Sequence, residues 1–221
     1  MERFSNLHVH DCYNSLLDAI SKPDDIVSFA KVNKQKAVAF TGHGSMASFI
    51  LQGKYCKENG VIPIYGCEVY EVDDMNKKDF TKDNKDVRNH LILLAKNQTG
   101  FQNLLKIVSL AGTDGFYMKP RIDIQTINEN NWGEGIIALT ACMAGRMSKL
   151  VEEEKYPEMW EWYHYLYQVF DDVYIELQSH DVEKQIDINK KLMNFIEDDF
   201  YFNFETKFVI TSDAHMIHES D

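Results

Sequence analysis

His8-Val9-His10 near one end of the chain and Asp213-Ala214-His215 near the other share one spacing, with two metal-competent side chains at i and i+2. On an extended segment this spacing puts both side chains on one face, so each pair can reach a single point. Between them in the sequence stand Asp18, His43, Glu68, His90 and Cys142. Imidazole, carboxylate and one thiolate form a set suited to Zn²⁺, Mn²⁺ or Fe, and too rich in nitrogen for Ca²⁺ or Mg²⁺ alone. Nine donors exceed the needs of one ion, so two or three divalent ions are expected, with Glu68 a natural bridge. Such a centre suits metal-assisted hydrolysis of a phosphoester. One ion lowers the pKa of a bound water while its neighbours steady the phosphoryl oxygens and the leaving group.

These donors must be carried by elements that converge. Apolar runs predict strands over 4–9, 37–41, 62–70, 90–95, 135–139, 173–177 and 207–211. Helical patterns over 23–32, 46–59, 100–110, 142–153, 157–170 and 182–196 separate most of them. Alternation of this kind implies a parallel sheet with right-handed crossovers. Because the first and last strands both carry donors, closure into a barrel is expected, with the site at the carboxyl ends of the strands. Glycines flank His43, which lets the chain turn sharply after the second strand. The segment 73–86, rich in Asp, Lys and Asn, reads as a mobile surface loop.

At 221 residues a single domain spanning 1–221 is expected. No apolar run is long enough for a membrane span, and Met1-Glu2-Arg3-Phe4 leads into a strand rather than a signal peptide. A cytoplasmic protein without membrane contact is therefore expected. The net charge of −12 argues against a broad nonspecific grip on nucleic acid, since that grip comes from Lys and Arg. Cys12, Cys56 and Cys67 read as reduced thiols. The aromatic run Trp160 to Phe170 reads as a helix packed on the barrel rather than a base-stacking platform. His164 and His218 stand outside any motif and read as surface histidines.

Taken in order, several segments resemble the polymerase-and-histidinol-phosphatase (PHP) domain, in the form carried by the alpha subunit of bacterial replicative DNA polymerases. They are His8-Val9-His10, Thr41-Gly42-His43-Gly44, Gly66-Cys67-Glu68-Val69-Tyr70, His90 to Asn97, Lys119-Pro120-Arg121-Ile122-Asp123, Cys142 to Gly145, Glu176 to His180 and Ser212 to His215. The resemblance implies a distorted (β/α)7 barrel holding a trinuclear metal centre. It matches His8, His10, Asp18, His43, Glu68, His90, Cys142, Asp213 and His215 to the family's nine ligands. His8, His10, His43, Glu68, Asp213 and His215 form the implied catalytic set, and Arg121 and His180 fall where basic residues near the cleft could contact a phosphate.

The implied activity is metal-dependent phosphoester hydrolysis, as a 3′ to 5′ DNA exonuclease that proofreads. The alternatives are a non-catalytic, metal-stabilised support for a polymerase and a small-molecule phosphatase of the histidinol-phosphate type. The expected partners are a DNA 3′ end, or another phosphoester, and the remainder of a replicative polymerase. The sequence departs from the family pattern where Gly42 stands in place of the usual Asp, where Asn14 is inserted between His10 and Asp18, and where Arg146 replaces an acidic residue. Loss of a carboxylate that orients ligands costs about 10- to 100-fold in metal affinity or activity, so Gly42 predicts a weakened site. No polymerase palm fits within 221 residues, so the chain reads as a piece of a polymerase or a free-standing copy such as a phage encodes.

Overall fold

Regular alternation dominates the chain. The computed structural model describes residues 4–197 and 206–217. It runs α1 (Pro23–Val32), β1 (Ala37–Phe40), α2 (Phe49–Asn59), β2 (Ile62–Glu71), β3 (Asn89–Ala95), α3 (Gln98–Gly112), β4 (Arg121–Ile122), α4 (Ile124–Glu129), β5 (Ile136–Leu139), α5 (Arg146–Glu152), α6 (Tyr156–Val169), β6 (Asp172–Gln178), α7 (Glu183–Glu197) and β7 (Phe208–Thr211). Met1 to Arg3 and His218 lie outside the described residues. Each helix boundary has a local cause. Pro23 sets the first turn of α1, Gly60 in the left-handed region (φ 69°) stops α2, and the Asn97 side chain caps α3 by accepting from Gly100 N.

The strands follow the order β1-β2-β3-β5-β6-β7, with β4 added beside β2. The expected first strand is an extended segment rather than a regular strand. It nonetheless joins the two edges, because Asn6 O and Val9 O accept from Ala39 N and Thr41 N on one side, while His10 N and His8 O pair with Ala214 on the other. The sheet therefore curls into the distorted barrel of seven staves.

The expectation of an all-parallel sheet is corrected at one strand. β3 runs antiparallel to both β2 and β5, while β1, β2, β5, β6 and β7 keep the parallel sense. The cause is the connection, since no crossover helix lies between β2 and β3 and the chain simply returns. This reversal brings His90, at the start of β3, to the end where the other strands finish.

Side chains alternate across the barrel wall. Ala39, Ile92, Leu94 and Leu139 fill the inside, while Leu91, Leu93, Ala138, Val173 and Ile175 pack outward against the helices. Helix α6 buries Met159, Trp162, Tyr163 and Leu166 against the sheet, which is the packing role expected of its aromatic run. Trp162 Nε1 donates to Glu71 Oε1 at 2.8 Å, and Arg146 Nε lies 3.0 Å from the same oxygen. Burial pushes the Glu71 carboxyl up to about 7, against the pull of Arg146 and of the Trp162 hydrogen bond.

Segment 73–86 contains no helix or strand, yet its base is gripped from below. Arg121 is fully buried. Its Nη2 donates to Met75 O and Lys77 O, each at 3.0 Å, its Nη1 meets Asp86 Oδ1 at 3.0 Å, and its Nε donates to Gly115 O at 3.1 Å. The Phe80 and Tyr117 rings lie 5.5 and 5.2 Å from the guanidinium carbon. The expectation that Arg121 contacts substrate phosphate is therefore corrected: the side chain is buried and each of its three nitrogens donates inside the fold.

Arg121→Ala removes one partner of a buried charge and should cost about 3–5 kcal/mol in chemical denaturation, with new protease cleavage between 73 and 86. Unchanged stability with impaired substrate binding would return Arg121 to the cleft. For Glu71, the folded-state pKa is raised from an ordinary 4.5 to about 7, so its contribution to stability is present below 4.5 and lost as pH rises through 7. Relative to Glu71→Gln, the wild type should lose up to about 1.4 kcal/mol per pH unit over that window in urea melts, and a relative gain would contradict the assignment.

Candidate metal centre

The inward phase of each stave delivers the candidate donors. On β2 it runs through Gly66, Glu68 and Tyr70, on β6 through Tyr174, Glu176 and Gln178, and past β7 it reaches Asp213. His43 forms an isolated parallel bridge with Glu68, and His90 bridges to Gly145 just after Cys142. Left-handed backbone marks the same rim: Gly44 (φ 60°) follows His43, Ala141 (φ 61°) precedes Cys142, and Asp213 itself has φ 45°. For the two non-glycine residues this conformation is sparsely populated and is held by its surroundings.

Glu68 is the hub. Its Oε2 lies 2.8 Å from His8 Nε2 and 3.6 Å from His10 Nε2, and its Oε1 lies 3.0 Å from His43 Nδ1 and against His90 Nδ1. Asp213 Oδ1 stands 3.0 Å from both His8 Nε2 and His10 Nε2, which are themselves 3.1 Å apart. Glu68, His90 and Cys142 form a second group, with Cys142 Sγ 3.5 Å from His90 Nδ1. His10, His43 and His215 form a third, and Asp18 Oδ2 reaches it at 3.2 Å from His43 Nε2 and 4.0 Å from His215 Nε2. All nine candidate donors thus meet at one end of the barrel. Two of the three groups share Glu68 and two share His10.

Donors about 2.0–2.1 Å from a common ion stand roughly 3.3 Å apart on a tetrahedron, and the spacings around His8, His10, Glu68 and Asp213 bracket that value. Asp213 Oδ1 is buried and finds no hydrogen bond, although two imidazoles stand beside it. A buried carboxylate oxygen left without a hydrogen bond beside two imidazole nitrogens fits a cation site.

Electrostatics follow from burial and crowding. Burial alone would raise the Glu68 carboxyl, but His10, His43, His8 and His90 carry it well below the ordinary range. Asp213 is likewise lowered, against its burial, by His10 and His8. Burial opposes charge on His8 and His10, yet Glu176 at His8 and Asp213 at His10 prevail and raise both imidazoles. His215 is lowered by burial and by His10. The Cys142 thiol is pushed up to about 12 by burial and by Glu68 and Asp213, so only a cation would make it a thiolate here.

Several supporting residues carried no separate sequence signal. Glu176 Oε1 receives His8 Nδ1 at 2.6 Å and also the Thr211 hydroxyl, fixing the His8 ring from behind. Its hints were a place in the resembling segment Glu176 to His180 and a carboxylate in the inward phase of a buried strand. Ser15 Oγ contacts His10 Nδ1 at 2.9 Å and accepts from His43 N at 3.2 Å. His180, beyond the end of β6, is half-buried with its Nε2 unpartnered among the described residues. Lys119 has no ion pair among the described residues and lies 5.3 Å over the Tyr70 ring, which stacks on His43 and meets His90 edge-on. A tight turn at Met118 (φ 61°) holds it, and Pro120 presses against Gly44.

Known proteins share both sequence and architecture with the chain. It is 34% identical over 224 residues to the DNA polymerase III subunit alpha of Aquifex aeolicus, covering 99% of this chain and 19% of that protein. With the subunit of the same name from Borreliella burgdorferi it shares 33% over 229 residues, covering 99% and 18%. The chain thus spans about a fifth of the length of these relatives. Among solved structures, a protein described as a metal-dependent phosphoesterase from Bifidobacterium adolescentis superposes with TM-score 0.59 at 13% identity, covering 96% of this chain and 87% of that one. An amidohydrolase from Chromobacterium violaceum with bound sulfate gives TM-score 0.54 at 13% identity, covering 96% and 87%. At such identities the likeness carries the fold. The PHP domain family matches residues 6–180, the stretch that holds the hub and seven of the nine donors, and the chain belongs to that family.

Proposed function

We propose that this PHP domain is a metal-dependent phosphoesterase acting at the 3′ end of DNA, as an exonuclease module related to replicative DNA polymerase III alpha subunits. The observation that carries the reading is the meeting of nine N, O and S donors at one end of the barrel, with the buried carboxylate Glu68 shared by two of their three groups. His8, His10, Glu68 and Asp213 would hold one divalent ion, Glu68, His90 and Cys142 a second, and Asp18, His43 and His215 a third. Bound ions would supply Lewis acidity toward phosphoryl oxygens and an activated water. The protein's own part is to fix the donors, with Glu176 orienting His8 and Ser15 orienting His10. Lys119 offers a cation beside the cluster for a substrate phosphate, in the role expected of Arg121. The full-length relatives support a polymerase as the physical context.

Metal analysis of protein incubated with Mn²⁺, Zn²⁺ or Fe²⁺ should return two or three ions per chain. Chelation should lower the melting temperature, since an ion at 100 times its Kd stabilises by about 2.7 kcal/mol. Release of mononucleotides from 3′-labelled single-stranded DNA should fall at least about 100-fold in His10→Ala, and equal rates would sink the reading. Metal uptake and stabilisation without hydrolysis would instead mark a structural module, and turnover of phosphomonoesters alone a small-molecule phosphatase. Lys119→Ala should raise KM for DNA about 10-fold or more while leaving metal content unchanged, and an unaltered KM would remove Lys119 from the substrate face.

A further inference from the structure

Gly42 stands where the resemblance leads us to expect an Asp, and its surroundings leave no room for a side chain there. Its φ is not in the left-handed region, so conformation does not demand glycine at this position. Space does: a Cβ at 42 would lie 2.1 Å from Asn14 Cβ and 3.1 Å from Asn14 Cγ. The inserted residue fills the volume that Gly42 leaves.

Asn14 is buried and every polar atom of its side chain is engaged. Its Nδ2 donates to Asp11 Oδ2 at 2.8 Å and to Ser48 Oγ, and its Oδ1 accepts from Ser45 Oγ at 3.2 Å and Ser48 N at 3.3 Å. Asp11, fully buried, also accepts from Gln52 Nε2 at 2.9 Å and from Tyr13 N at 2.9 Å. One side chain therefore bolts the segment after His10 to the segment after His43 and to the start of α2. The next residue, Ser15, touches His10 Nδ1 and His43 N.

We infer that Asn14 is a positioning residue for the His10–His43 pair, that Gly42 is its steric complement, and that the two departures form one coupled replacement rather than a lost carboxylate and an unrelated insertion. The inference rests on the metal-centre reading for what the two histidines are positioned to do. Asn14 holds the segment from Asp11 to Asp18 against the Gly42 turn, and Ser15 transmits that placement to the His10 ring and the His43 backbone. A buried amide with four partners has one low-energy arrangement, whereas an isolated Ala at this site would leave Asp11 and Ser48 to rearrange.

The test uses Asn14→Ala, Asn14→Gly, Gly42→Ala and the pair Asn14→Gly with Gly42→Ala, each compared with wild type for Co²⁺ affinity, the visible spectrum of the Co²⁺ form, and the melting temperature of metal-free protein. Asn14→Ala should weaken Co²⁺ binding about 10-fold or more and alter the visible bands that report ligand geometry. Gly42→Ala should lower both affinity and melting temperature, and removing the Asn14 side chain should recover the melting temperature in the pair. An Asn14→Ala protein with wild-type affinity and spectrum overturns the positioning role, and strictly additive melting shifts overturn the coupling. Should the wild type take up no Co²⁺, the metal-centre reading falls and the positioning role falls with it. That result differs from selective failure in the variants.

Discussion

A single buried carboxylate constrains this barrel. Glu68 is almost inaccessible to water and within contact distance of four imidazoles, His8, His10, His43 and His90. An ionised carboxylate in such a place is costly unless paired, so the staves carrying those imidazoles must close around it. His8 and His10 come from the extended segment that also stitches β1 to the end of β7. Barrel closure and charge compensation are the same set of contacts.

The direction of β3 follows the same constraint. In an all-parallel barrel, His90 at the start of its strand would lie at the opposite end from Glu68. Reversing that one stave puts His90 opposite Tyr70, where its ring reaches Glu68, and leaves Ile92 and Leu94, opposite Glu68 and Gly66, to fill the interior below. The reversal costs little because the long connection 72–88 needs no helix, and Arg121 anchors it through carbonyl groups it would otherwise leave unpaired.

Much of this was legible in the sequence. The i, i+2 pairs and the donors at strand ends were readable because side-chain alternation in a strand is strict, and the helices because their apolar stripes and stop signals are local. The strand direction was not, since an apolar run reads the same both ways. Arg121 was misplaced because a basic residue beside a motif looks alike whether it faces a cleft or satisfies loop carbonyls. Glu176 and Ser15 stayed without roles because orienting a ligand requires knowing which ring lies behind which strand. Gly42 read as a deficiency when taken alone, for its partner Asn14 is twenty-eight residues away and the two meet only in space.

The imidazole orientations carry the argument one step further. His8 Nδ1 is taken by Glu176, His10 Nδ1 by Ser15, and His215 Nδ1 by the Asp213 carbonyl. A ring whose Nδ1 proton is donated outward keeps its Nε2 lone pair for the interior, and the acceptor-only partners at His8 and His215 select that tautomer. The His8 and His10 Nε2 atoms crowd Asp213 Oδ1 and Glu68 Oε2, an arrangement that is repulsive among the donors wherever both nitrogens carry lone pairs. Protonation of the imidazoles relieves that repulsion and is favoured here, since the carboxylates raise His8 and His10 while the same imidazoles lower Glu68 and Asp213. A divalent ion would compete with that proton for the same lone pairs. The barrel therefore holds its donors in place at the expense of their mutual repulsion, with the compensating contacts made by residues that face away from the cleft.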